Sequence, residues 1–179
     1  MNIGINKHYF NQKIVYKYFN TEYFELIIYS LLAFGLPFII AHPQWLIGIL
    51  VNFFLIRGAI YFKFKNIIPI IFIPSIGVLS AGIIFGVNTH YLLYFIPIIW
   101  ASNLLFILGY KYLRFNRHQN IWITPLVISI FKAMILFCFA VIVVYLFDFP
   151  KLFLISMGLV QLTTAAMGAY LAVISSKFT

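Results

Sequence analysis

Acidic residues are almost missing from this sequence. Glu22, Glu25 and Asp148 are its 3 carboxylates, set against 12 lysines and arginines in 179 residues. All three fall at or near the ends of apolar runs, which excludes a paired-carboxylate acid/base machine inside those runs. Cysteine is scarcer still. With Cys138 alone, neither an intrachain disulfide nor a four-cysteine zinc or iron–sulfur site can form, and Cys138 is expected to be a packing residue. No G-x-S-x-G element, Walker A loop or H-E-x-x-H motif occurs. Nothing therefore points to an enzyme or a cofactor, and the chain has no P-loop with which to hydrolyse ATP. Charge as a whole is sparse, at 8% of residues, where a soluble domain carries about 25%.

What the chain has instead is hydrocarbon. Hydrophobic residues make up 64% of it and aromatic ones 20%. A helix needs about 20 mostly apolar residues to cross a bilayer. On that ruler the sequence predicts spans at about 24–40, 45–62, 67–86, 90–110, 122–147 and 152–175. The runs are continuous and far longer than the alternating segments of about ten residues that build membrane β-barrels. The expected fold is all-α: six transmembrane helices in one bundle over 24–175, without a soluble domain or a clear internal repeat.

The basic residues are sorted by connection. If the N-terminus is cytoplasmic, that face holds Lys7, Lys13, Lys17, Lys63, Lys65, Lys111, Arg114, Arg117 and Lys177, and the opposite face only Lys151. Positive residues near span ends stay in the cytoplasm during insertion, so a multi-pass protein of the cell membrane with both termini cytoplasmic is expected. A net charge of +9 could also suggest nucleic acid. The charge follows topology rather than forming one patch, so a nucleic-acid partner is not expected. Residues 1–23, basic and aromatic, read as an interfacial arm with rings among the lipid headgroups and lysines on anionic lipid.

Two cations interrupt the spans. Arg57 lies near the cytoplasmic end of the second and can snorkel out of the hydrocarbon. Lys132 lies near the middle of the fifth, where a charge costs about 2.5–3.5 kcal/mol on insertion scales. Two readings stand side by side: a lysine held by carbonyls, Asn or Gln, or a group that meets an anionic ligand or another subunit. Other polar residues within spans, Asn52, Ser102, Asn103, Gln161, Thr163 and Thr164, could share one cavity with it or form separate interhelical hydrogen bonds. Outside the spans, His42, Gln44, Trp45, Asn88, Thr89, His90 and Asp148 gather in the outer connections. They are either the polar residues any short loop needs or the mouth of a ligand site, with Trp45 or Trp100 stacking on a ring. The spacing of His42, His90 and Asp148 is not a metal motif. Gly158, Ala165, Gly168 and Ala169 form a small-residue face on the sixth span, suited to internal packing or to a partner helix.

Six short spans in fewer than 200 residues, basic and with both ends inside, resemble the substrate-binding S components of energy-coupling-factor transporters. Two stretches carry the likeness. One is His42-Pro43-Gln44-Trp45 followed by Leu50-Val51-Asn52. The other runs from Gly158 through Gln161, Thr163, Thr164 and Ala165 to Gly168 and Ala169. The resemblance implies a bacterial plasma-membrane subunit that binds a vitamin or another micronutrient in a pocket opening outward under the first outer loop. It also implies partners: a membrane coupling protein and two cytoplasmic ATPases, with delivery by toppling in the membrane. His42, Gln44, Trp45, Asn52, His90, Asn103 and Gln161 become candidate pocket groups, beside Trp100 and Lys132. The family's first span offers a coupling protein two alanines four apart, whereas this one offers Ser30, Ala33 and Gly35. A non-catalytic accessory subunit of a membrane complex is the rival reading, and a small membrane enzyme a more distant one.

Overall fold

The computed structural model describes residues 23–40 and 43–177; the expected interfacial arm lies outside them except for Tyr23. Six apolar helices follow in chain order: α1 (Tyr23–Ile39), α2 (Gln44–Tyr61), α3 (Phe64–Ala81), α4 (Leu92–Lys111), α5 (Ile123–Leu146) and α6 (Leu152–Ser175). Five apolar helical stretches, containing α2 to α6, are long enough to cross a membrane, and α1 is shorter. No strand occurs among the described residues. The fold is thus the expected all-α, multi-pass bundle, with boundaries within a few residues of those the hydropathy predicts.

Local chemistry sets the ends. α3 stops where Gly82 takes a left-handed conformation, φ 68°, which glycine adopts without a Cβ clash. The chain then makes a 3-10 turn, Gly86–Tyr91, that leads into α4. Thr89 pins this connection, its hydroxyl lying 2.9 Å from the Gly82 carbonyl and 2.8 Å from that of Gly86. At the other end α4 runs into a π turn, Tyr112–Asn116. Lys111, in the last turn of α4, donates to the Phe62 carbonyl at 2.9 Å, giving a partner to a carbonyl at the C-terminal end of α2.

Two apolar cores stack along the bundle. One joins Phe54, Leu55, Ile67, Ile70, Phe106, Tyr110, Ile128 and Val173. The other joins Phe85, Phe95, Leu136, Ala140, Phe153 and Met157. Phe95 stacks on Phe153 with ring centroids 4.8 Å apart, and Phe85 stacks on the same ring at 5.1 Å. Between the cores, each of α2 to α6 carries a buried polar residue: Asn52, Ser75, Asn103, Lys132 and Thr164. A polar layer crosses the bundle at mid-depth.

The closest helix contact joins α2 to α6. A Cβ added at Gly168 would lie 2.5 Å from the Ile49 carbonyl and 2.8 Å from both Asn52 Cβ and Phe53 N. Gly168, Ala165 and Ala169 are buried within the chain, and Gly158 faces the Phe137 ring of α5. This corrects the partner-helix reading of the small-residue face: the chain's own helices already fill it. Cys138 is likewise not a core residue, since it sits exposed on the outer surface of α5.

Candidate functional site

Lys132 is the tenth residue of α5, about 14 Å along the helix from its start. It is 2% exposed, and its ammonium is held by two amides. Nζ donates to Asn52 Oδ1 at 2.6 Å and to Asn103 Oδ1 at 2.7 Å. The Phe106 ring centroid lies 4.8 Å from Nζ, placing a π face beside the charge.

Both amides are fixed from behind, so their oxygens have no choice of direction. Asn52 Nδ2 donates to the Gly48 carbonyl at 2.8 Å, one turn earlier in α2. Asn103 Nδ2 donates to the Ile71 carbonyl of α3 at 3.2 Å. α3 runs on through Pro74, whose missing N–H leaves the Ile70 carbonyl, the acceptor next to Ile71, without its helical donor. Asn103 therefore does two jobs: it partners the backbone of α3 and points its oxygen at the lysine. Such neutral acceptors solvate an ammonium without cancelling its charge. No carboxylate lies within the middle of any described helix, Glu25 being in the first turn of α1 and Asp148 in the connection after α5.

A cavity of about 100 Å³ opens beside this triangle. Gln44, Asn52, Ser75, Asn103, Lys132, Gln161 and Thr164 bring polar groups to it, and Ile47, Val51, Val78, Phe85, Ile99 and Met157 supply apolar wall. Of the wall residues, Gln44 and Leu92 start their helices and Ile84 and Phe85 lie in the 82–91 connection, so all four belong to the face where α2 and α4 begin. The cavity thus runs from the polar layer toward that face. Gln161 Oε1 is buried and accepts no hydrogen bond. Its helix is not regular there: Ser156–Val160 form a π turn in α6. A π turn shifts the facing of the residues that follow it and is frequent at functional sites. Here Met157, Val160, Gln161 and Thr164 all reach the cavity.

Of the residues singled out from sequence, Gln44, Asn52, Asn103, Lys132 and Gln161 come together. Trp100 stands one layer behind, donating from Nε1 to Ser75 Oγ at 2.7 Å and set edge-on to Phe72 at 4.6 Å; its ring is committed to packing. Trp45 is 51% exposed and off the cavity. Consecutive helical residues point about 100° apart, so Trp45 faces away where Gln44 faces in. His90 is exposed and packs on Tyr91, ring centroids 4.1 Å apart; Thr89 takes the inward position. These placements correct the expected roles of Trp45, Trp100 and His90. His42 lies outside the described residues, among which no three metal-ligating side chains cluster. Thr163 is exposed, and Ser102 is buried but donates to Ile99 O at 2.8 Å. Ser75 was not legible as a site residue, because serine is ordinary in a transmembrane helix.

Arg57, expected to snorkel outward, is instead buried between α2 and α6. Its guanidinium lies over the Tyr61 ring, 4.3 Å from the centroid, with Nη1 3.3 Å from Tyr61 OH and 3.4 Å from Ser175 Oγ. Both partners lie at the helix ends remote from the cavity mouth. Comparison with known proteins adds no relative: no family model, curated protein or solved structure matches the chain.

Proposed function

We propose that this chain is a non-catalytic solute-binding membrane subunit, and in finer detail the S component of an energy-coupling-factor importer. It captures a micronutrient outside the cell and passes it on through a membrane coupling protein driven by two cytoplasmic ATPases. One observation carries the reading: a cavity lined by polar groups from five helices lies at the polar layer and runs toward the face that holds few basic residues. By charge sorting that face is the outer one. The small volume favours a compact solute, since pockets for drug-sized ligands run to roughly 300–1,000 Å³. The tethering of both asparagines and the close α2–α6 contact give the cavity rigid walls, as a binding site needs and a purely structural bundle does not.

Affinity purification of the tagged chain from its native membranes tests this. The expected result is co-purification of a coupling protein and two ATPases, and loss of cellular solute uptake on deletion. Recovery of the chain with another membrane enzyme complex, uptake unchanged, would instead support the accessory-subunit reading.

A further inference from the structure

The chemistry around Lys132 narrows the class of solute, an inference that rests on the solute-binding reading above. We infer that the cavity takes a small organic monoanion, a short carboxylate bearing a hydroxyl group, with its carboxylate on Lys132 and its second polar group on Gln161.

Charge comes first. Lys132 sits between two apolar cores, and among the described residues its hydrogen-bond partners are two neutral oxygens. An ammonium carries three N–H donors; Asn52 and Asn103 take two, and Lys132 also lines the cavity. An anion arriving there forms a charge-assisted hydrogen bond and neutralises a charge that the helices around it leave standing. The amides cannot compete by turning over, because each Nδ2 is bound to a backbone carbonyl. A cationic solute would meet like charge at the deepest point of the cavity.

The second polar group follows from Gln161. Its Oε1 is buried without a hydrogen bond, an acceptor left unused. The Gln161 side chain lines the same cavity, and its oxygen, as an acceptor, calls for an O–H or N–H donor on the solute. Size sets the third limit. A volume of about 100 Å³ is well below the roughly 300–1,000 Å³ of drug-sized pockets, which suits an acid of a few carbons.

Matched acids and amides separate these terms. The detergent-purified chain would be melted at constant ionic strength, against a sodium chloride control, with lactate, propanoate, lactamide and propanamide. Lactate should raise the melting temperature saturably, with propanoate weaker. Lactamide, which has the shape of lactate without its charge, should bind on the order of tenfold to a hundredfold more weakly. Lys132→Met should abolish the response to both acids, and Gln161→Leu should bring lactate down to the level of propanoate. Lactamide matching lactate, Lys132→Met still responding to lactate, or none of the four compounds stabilising the chain would each overturn the inference. Should Lys132→Met fail to fold, lactate against lactamide on the unaltered chain decides. Co-purification with coupling proteins does not depend on these outcomes, so the solute-binding reading can survive the loss of this one.

Discussion

At the scale of single residues, the bundle owes its shape to a few positions where no side chain fits. Gly168 is the tightest. A methyl group there would collide with backbone at Ile49 and Phe53, neither of which can rotate aside. Gly158 presents a different problem, because its nearest neighbour, at 2.8 Å, is the rim of the Phe137 ring. That ring is exposed on the outer surface and free to swing. Gly168→Ala should therefore destabilise by about 1–3 kcal/mol, the usual range for overpacking, and Gly158→Ala by less. Thermal melts of both variants in one detergent compare them directly; equal losses would mean that α2 and α6 can separate freely. Because the Gly168 contact includes Asn52 Cβ, the first variant should also move an oxygen that holds Lys132.

At the scale of elements, α6 is the least regular helix and the one that matters most to the cavity. Its π turn spans Ser156–Val160, and Leu159 within it is exposed. Deleting Leu159 removes the surplus residue and lets the helix continue as α. The wide turn that separates Met157 from Gln161 is then lost, and the cavity wall they form is re-spaced. The expected outcome is a chain that still inserts and elutes as a single species but no longer shows solute-dependent stabilisation. Retained stabilisation would show the turn to be incidental to binding.

The elements also show what the sequence made legible. The spans could be read because each is an unbroken apolar run. Lys132, Asn52, Asn103 and Gln161 could be read because polar groups are rare within such runs and seek one another in hydrocarbon. Direction around each axis was not legible. Trp45 and Gln44 are neighbours in sequence yet face opposite ways, and the 3-10 turn before α4 turns Thr89 in and His90 out. Small residues permit close approach whichever helix does the approaching, so the α6 face did not reveal that its partner was α2. The π turn left no trace, because glycine and serine are also common in regular transmembrane helices.

At the scale of the whole molecule, the connections divide into two sets. The 62–63, 112–122 and 176–177 stretches lie at one end of the helices, with Lys63, Lys111, Arg114, Arg117 and Lys177 in or beside them. Ile40, Pro43 and the 82–91 and 147–151 stretches lie at the other, where Lys151 is the one lysine or arginine among described residues. The charge bias predicts that the first set is cytoplasmic. With Cys138 replaced by alanine, a cysteine at Val87, which is exposed, should react with a membrane-impermeant maleimide on intact cells. A cysteine at Arg117 should react only after lysis. The reverse pattern would invert the molecule and turn the cavity toward the cytoplasm.

The order of the polar layer along the chain bears on how the molecule is made. Asn52 and Asn103, the acceptors for Lys132, both precede it in sequence. A ribosome therefore delivers α2 and α4 to the membrane before the lysine emerges. α5 is also the most apolar of the spans, so its flanks favour entry despite the charge at its middle. The lysine enters hydrocarbon with its partners already synthesised. The site on which solute capture is proposed to depend doubles as a docking point in biogenesis, where the fifth helix finds its place by offering a proton donor to helices already there.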